Sequence, residues 1–347
     1  MTFISLKALL IEGIIQSLFS QYEAGSLGFT YPLCDGSMAP PAWAEVPLSK
    51  KTAVSEVLYT SAISHLLFAE KNRFQSISLL TVTEENVVQL RKSKFKTINN
   101  KEKHQVCELD HTGLNNSVVS QLWNELAIET KRSGWIAFRL SEAGLIDWLV
   151  HLKHQLGSLQ GLLCYREISS HAHASAAGLT SDNRVWQLQY TYSRCRCLLR
   201  LWNQQVDAQY QVKNDTPLCL PPLLCCESDS LGRGRRRVSH RTHRSTCLQV
   251  VHSLIEALDY AECDLFWIPY RYPSKQYFLL LRAVAQLCQS LSLFMAEDLS
   301  GFGQINASSP ASAKREFQAR FGLLLVAQEA LKVLMDRGLG LECVERI

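Results

Sequence analysis

From Val185 onward the apolar residues recur at a helical period, and that regularity limits the fold more than any other feature. Val185, Leu188, Tyr192, Cys195 and Leu199 fall three or four residues apart and line one face of a helix over 184–203. The same period returns over 247–262, 275–296 and 314–337. Stripes of this kind are buried helix against helix, so the second half is expected to be an all-α bundle. One long stretch breaks the pattern. Residues 206–246 hold Pro217, Pro221, Pro222 and a run of arginines, and they read as a basic inserted loop. Loops of that length are uncommon inside a compact domain and are often functional.

The first half reads as a mixture. Leu6, Leu9, Leu10, Ile14 and Leu18 predict an amphipathic helix over 4–20, followed by a Gly- and Pro-rich loop from Gly25 to Pro47. Val54, Val57, Leu58, Ala62, His65 and Leu66 predict a second helix. Val118, Val119, Leu122, Trp123 and Leu126 predict a third. Ser76–Thr83 and Trp135–Leu140, the latter opened by Ser133-Gly134, read as strands. Leu145, Trp148, Leu149 and Leu152 start another helix. The expected organisation is an α+β domain over 1–156, a linker over 157–182 with a small, polar core from Ser169 to Asn183, and a helical domain over 183–347. The whole is mainly α, with no internal repeat at a fixed period.

A length of 347 residues suits two domains. The 47% hydrophobic and 20% charged residues exclude a disordered or low-complexity chain. Lys and Arg total 36 against 32 acidic residues, and a net charge of +4 is too mild to name a partner, so the distribution of charge matters more. Lys7 and Glu12 interrupt the apolar stretch Phe3–Phe19, and no small-residue cleavage site follows, so no secretory signal is expected. No stretch reaches the roughly 18 uncharged apolar residues of a membrane span. A cytoplasmic protein without membrane contact is therefore expected, and its 12 cysteines are read as thiols.

Cys195-Arg196-Cys197 and Cys225-Cys226 lack the two-residue gap of a zinc knuckle. His171 and His173 lie in a Ser- and Ala-rich linker without a partner ligand at metal-site spacing. No metal and no cofactor are expected. Glu56, Glu142 and Asp147 read as surface charges of helices and not as catalytic carboxylates.

Several motifs resemble arginyl-tRNA synthetases. Gln189-Tyr190-Thr191-Tyr192-Ser193-Arg194, followed by Leu198-Leu199-Arg200, resembles the Gln-Tyr-Ala-His-Ala-Arg helix that opens their DALR anticodon-binding domain. Gln189, Tyr190 and Arg194 match; Thr191, Tyr192 and Ser193 depart. Leu287–Met295 resembles a later helix of that domain, with Ser292 in place of Asn, Phe294 matching and Met295 in place of Tyr. Arg320-Phe321, the run Leu323–Leu334 and the tail from Gly340 to Ile347 resemble its last helix and end, with Val344 for Pro and Ile347 for Met. Ser133–Leu140 resembles, more weakly, the Gly-Phe-Ile-Asn-Phe strand of the additional N-terminal domain, with Ala137 for Asn. The resemblance implies an anticodon-binding domain over 183–347 and an N-terminal domain that faces the tRNA elbow.

The catalytic core that lies between these domains in a class I synthetase has no counterpart. His151-Leu152-Lys153-His154 and His240-Arg241-Thr242-His243 have the His spacing of the His-x-Gly-His turn but no Gly for close approach to a phosphate. Leu48-Ser49-Lys50-Lys51 is a fragment of the Lys-Met-Ser-Lys-Ser loop in the wrong region, and no other phosphate-binding loop occurs. The expectation is a non-catalytic, synthetase-like protein that binds tRNA, with an arginine-accepting tRNA as the candidate, and presents it to a modifying or aminoacylating enzyme; DNA is not an expected partner. The resemblance assigns RNA contact to Gln189, Tyr190, Arg194, Arg200, Phe294, Arg320, Arg346 and Ile347.

Tyr190 and Arg194 stand one helical turn apart and suit an unpaired base and a phosphate. The other reading packs Tyr190 in the bundle and gives Arg194 an internal ion pair. Arg233, Arg235, Arg236, Arg237, Arg241 and Arg244 place six arginines in twelve residues, a run that neutralises phosphates. Two other functions stay open: a protein–protein scaffold that has lost RNA contact, favoured by Met295, Val344 and Ile347, and an arginine–tRNA ligase activity exerted with a partner in trans.

Overall fold

The computed structural model describes residues 5–14, 48–52, 57–65, 84–91, 122–163, 183–210, 237–265, 274–301 and 310–343, apart from 12, 89, 340 and 342. The expected strand Ser76–Thr83 and the expected loop Gly25–Pro47 lie outside them. The chain divides into two compact units, Met1–Trp148 and Leu149–Ile347. The described residues are mainly α-helical and carry a four-stranded antiparallel sheet.

The first unit contains the sheet, formed by β1 (Leu48–Thr52), β2 (Val57–Ser61), β3 (Leu126–Thr130) and β4 (Ile136–Leu140) in the order β1-β2-β4-β3. The register sets Val57, Tyr59 and Ser61 beside Leu140, Phe138 and Ile136, and these beside Leu126, Ile128 and Thr130. Alternate residues share a face, and on this face Tyr59, Ile136, Phe138 and Ile128 are buried. The Trp123 ring lies 6.1 Å from that of Phe138, and its Nε1–H donates to the Leu90 carbonyl at 3.3 Å. Gly13 approaches this indole so closely that a Cβ there would stand 2.5 Å from it. The β3–β4 turn closes through Gly134 N–H to Lys131 O (2.9 Å) and Lys131 N–H to Trp135 O (2.8 Å). Gly134 takes φ 77°, which only glycine adopts without strain.

Three expectations change in this unit. Val57–Ser61 is a strand and not part of a helix. The run Val-Leu-Tyr-Thr-Ser is β-branched and aromatic, and a short apolar run satisfies both periods until sheet pairing decides between them. Leu126 likewise opens β3; only residues 122–124 of the third expected helix are helical among those described. β1 was not expected at all, because its Leu-Ser-Lys-Lys-Thr sequence reads as an edge strand with little apolar signal.

Ser141 caps α1 (Glu142–Leu163): its Oγ accepts the Gly144 N–H at 3.0 Å, and its hydroxyl donates to Glu125 Oε2 at 2.8 Å. The helix runs through Gly157 to Leu163, so the first residues of the expected linker, 157–163, are helical.

The second unit is built from α2 (Asn183–Tyr210), α3 (Arg237–Leu265), α4 (Ser274–Gly301) and α5 (Pro310–Val333), closed by a π-type turn at Leu334–Gly338. Residues 206–210 and 237–246 of the expected loop are therefore helical, and 211–236 lie outside the described residues. α4 packs most broadly on α3, α2 packs on both α4 and α5, and α5 reaches α3, giving the ring order α2-α4-α3-α5. Side-chain pairs give the directions. Cys195 Sγ meets Met295 Sδ at 3.7 Å, and Thr191, one turn earlier on α2, hydrogen-bonds Cys288, about two turns earlier on α4. These two helices therefore run parallel. Thr246 Oγ1 donates to Glu297 at 2.7 Å and Ser253 pairs with Ser290 at 2.8 Å, so α3 and α4 run antiparallel. Tyr277–Glu297 of α4 is long and apolar enough, by length and composition, to cross a membrane, and half of that stretch is buried inside the protein. Leu280, Val284, Leu287, Leu291 and Phe294 form its buried stripe.

Candidate nucleic-acid interface

The two faces of α2 differ in chemistry. Leu188, Tyr192, Cys195, Leu198 and Trp202 point into the bundle. Trp202 meets Phe317 edge-on with ring centroids 5.4 Å apart. Opposite them, Trp186, Tyr190, Arg194, Cys197 and Leu201 follow one another at three- and four-residue intervals along the outer stripe. Trp186 is 61% exposed, Tyr190 41% and Leu201 54%. Cys197 and Arg200 are exposed, and Gln189 and Arg194 are half-buried. The Trp186 and Tyr190 rings stack with centroids 5.1 Å apart and planes 11° from parallel.

Tyr190 and Arg194 thus share one accessible face, as their spacing suggests. Trp186 belongs to the same face although the sequence reading left it out. Its signal was its phase: it stands one turn before Tyr190 and opposite the apolar stripe.

Phe294 is elsewhere. It is fully buried on α4, so it cannot stack on a base, and its expected RNA contact is corrected. The cause is periodic: Leu287, Leu291 and Phe294 continue one apolar stripe. Met295 beside it is also fully buried. The Arg320 guanidinium lies over the Phe294 ring, 5.6 Å from its centroid. Burial lowers the Arg320 pKa from its ordinary value, with Cys247 and Glu297 opposing that shift. Arg320 is thus a half-buried cation at the core. Arg346 and Ile347 lie outside the described residues.

The arginine run is separated from the α2 face. Arg233, Arg235 and Arg236 lie outside the described residues, while Arg237, Arg241 and Arg244 are on the first turns of α3. By spacing they continue the stripe of Leu248, Val251 and Ile255, with arginine in place of aliphatic residues. Tyr190 is level with the middle of α4 near Cys288, whereas Arg244 precedes Thr246, which meets Glu297 near the end of α4. At 1.5 Å per residue, Arg244 lies about 18 Å and Arg237 about 28 Å further along the bundle axis than Tyr190. α2 and α3 also occupy opposite corners of the ring. The two expected contact groups therefore form two places and not one.

Charge is distributed unevenly among the helices. Over Asn183–Val206, α2 carries Arg184, Arg194, Arg196 and Arg200 and no carboxylate; over Ser274–Ala296, the adjacent α4 carries Lys275 and Arg282 and no carboxylate. The carboxylates of these two helices, Asp207 and Glu297-Asp298, follow in their last turns, whereas α3 carries Arg237, Arg241 and Arg244 in its first turns and Glu256, Asp259, Glu262 and Asp264 in its second half. The thiols between α2 and α4 are poor nucleophiles: burial raises Cys195 far above its ordinary value and pushes Cys288 up to about 12, with the Thr191 hydrogen bond opposing the latter. Among the described residues no group of three or more His, Cys, Asp or Glu could hold a metal ion. His151 is buried and His154 exposed, both on α1.

No family model, no curated protein and no solved structure matches this chain.

Proposed function

We propose that this is a tRNA-binding protein without ligase activity of its own, resembling the tRNA-binding domains of arginyl-tRNA synthetases, and that its helical unit holds the anticodon stem-loop. The observation that carries the reading is the common outer face of the exposed Tyr190 and the half-buried Arg194 on a helix whose first 24 residues hold four arginines and no carboxylate. A phenol ring and a guanidinium one turn apart match an unpaired base and its phosphate. Arg200 lies further along the same helix. The arginines at the start of α3 neutralise phosphates of a different part of the RNA, because they stand well over one helical turn away. Through such a grip the protein presents its tRNA to a modifying or aminoacylating enzyme.

The test is a gel shift of the purified protein with total tRNA at moderate salt. A shift not matched by an unrelated RNA of the same length supports the reading; no shift, or an equal one, overturns it. Replacing the six arginines from Arg233 to Arg244 with serine should lower the salt slope of binding by about four units if all six meet phosphates. Arginine-dependent ATP–pyrophosphate exchange is expected to be absent.

A further inference from the structure

We infer that the outer face of α2 is a stacking platform for unpaired RNA bases, with Trp186 as its terminal ring. This rests on the tRNA-binding reading and names what one part of the bundle recognises: single-stranded RNA, not a paired stem.

Three observations converge on this face. The Trp186–Tyr190 stack is exposed, and Tyr190 covers one side of the indole while Trp186 remains 61% accessible. Aromatic rings that stay in water at the end of a helix, prestacked at 5.1 Å, have already ordered one another and present a flat surface to a third ring. Arg194 follows one turn later on the same stripe, and the exposed Arg200 lies further along the helix on its flank, about 120° round from Arg194, so a backbone crossing this end of α2 passes both cations. Finally, the accessible charges described on the adjacent α2 and α4 over Asn183–Val206 and Ser274–Ala296 are cationic: Arg200 and Arg282 are exposed, Arg194 is half-buried, and no carboxylate stands in either stretch, so the surface complements a polyanion. A protein partner suits this surface less well, because its own carboxylates would have to match arginines spaced along the helix without any acidic residue to pair with its lysines. Base stacking tolerates any base, so the platform supplies affinity for unpaired loops without choosing their sequence.

The experiment measures binding of the full chain to a fluorescently labelled, mixed-sequence single-stranded RNA decamer, to the same sequence as a duplex, and to total tRNA. The single strand should bind more tightly than the duplex. Trp186→Ala should weaken single-strand binding by about 5- to 150-fold, the range expected for one stacked base. Trp186→Phe should recover most of that loss. Tyr260→Ala removes an exposed aromatic from α3, at the opposite corner of the ring, and should leave binding unchanged. Bound RNA should also slow alkylation of the exposed Cys197, while the buried Cys195 and Cys288 stay unreactive with or without RNA. Circular dichroism separates a folding failure from a binding loss, and Trp186→Phe keeps the test valid if the alanine variant does not fold. Equal affinity for strand and duplex, or wild-type binding by Trp186→Ala, overturns the inference. If tRNA still binds in that case, only the platform fails; if the wild-type protein binds no RNA at all, the tRNA-binding reading fails with it.

Discussion

Two places in the helical unit combine an arginine with aromatic rings, and they differ in almost every other respect. On α2, Trp186 and Tyr190 stack in solvent with Arg194 one turn on. On α4 and α5, Phe294 is fully buried under the guanidinium of Arg320, near Glu297 and Cys247. The chemistry is shared; burial separates the roles. A ring excluded from water spends its surface on folding and has none left for a ligand. An exposed ring contributes little to folding and keeps its faces for a partner. Residue type alone therefore does not mark an RNA contact, and the helical phase of the ring is what distinguishes the two places.

The largest effect that would test this difference is on stability. Phe294→Ala empties a fully buried aromatic site and should cost about 3–5 kcal/mol. Urea unfolding followed by circular dichroism measures it. A cost below 1 kcal/mol would show that Phe294 is not part of the core. Trp186→Ala should move the same midpoint by no more than about 0.5 kcal/mol, since its site is at the surface. A large loss there would make the α2 stack a folding element and dissolve the contrast.

The arginines sharpen the comparison at an intermediate magnitude. Arg320→Ala removes a partly desolvated cation–π contact and leaves Glu297 without that neighbouring charge, so a loss of about 2 kcal/mol is expected. Arg200→Ala, at an exposed position, should leave stability unchanged and instead reduce the salt slope of tRNA binding by about 0.7 for one lost phosphate contact. Unfolding curves and a binding series at four salt concentrations check both. If Arg320→Ala were neutral in stability and lowered the salt slope, Arg320 would belong with the exposed group.

The same distinction explains what was legible in the sequence. The four bundle helices were readable because their apolar stripes persist for about sixteen residues or more, long enough for a 3.6 period to exclude a strand. α2's stripe of Leu188, Tyr192, Cys195 and Leu199 already placed Tyr190 and Arg194 outward, and Trp186 with them. Phe294 was legible too: Leu287, Leu291 and Phe294 form a core stripe, and the family resemblance pointed the other way. The start of α3 was missed for a physical reason. Its helical period continues through Arg244, Arg241 and Arg237, but in arginine, so an apolar count reads a loop. In the first unit, five-residue strands such as Val57–Ser61 are too short for period to decide, and only their pairing with β4 does so.

The smallest expected effect is in the pH dependence of a half-buried charge. Glu329 on α5 has its pKa raised from the ordinary value by burial, with Lys153 and Lys332 opposing. A carboxyl whose folded pKa lies above its unfolded pKa carries no penalty below the unfolded value. It loses stability as pH rises through the folded value. Glu329→Gln stays neutral throughout. The variant should therefore be as stable as the wild type in acid, and at neutral pH equally or slightly more stable. Thermal melts between about pH 4 and pH 7 compare the two. An exposed counterpart is Glu129, whose side chain is half-exposed and 3.6 Å from Arg139 on the outer side of the sheet. Glu129→Gln should change stability by no more than about 0.5 kcal/mol, because exposed pairs contribute little. If Glu329→Gln instead lost stability on going from acid to neutral pH, the attraction of Lys153 and Lys332 would outweigh burial. Glu329 would then be a stabilising partner of those lysines and not a desolvated charge.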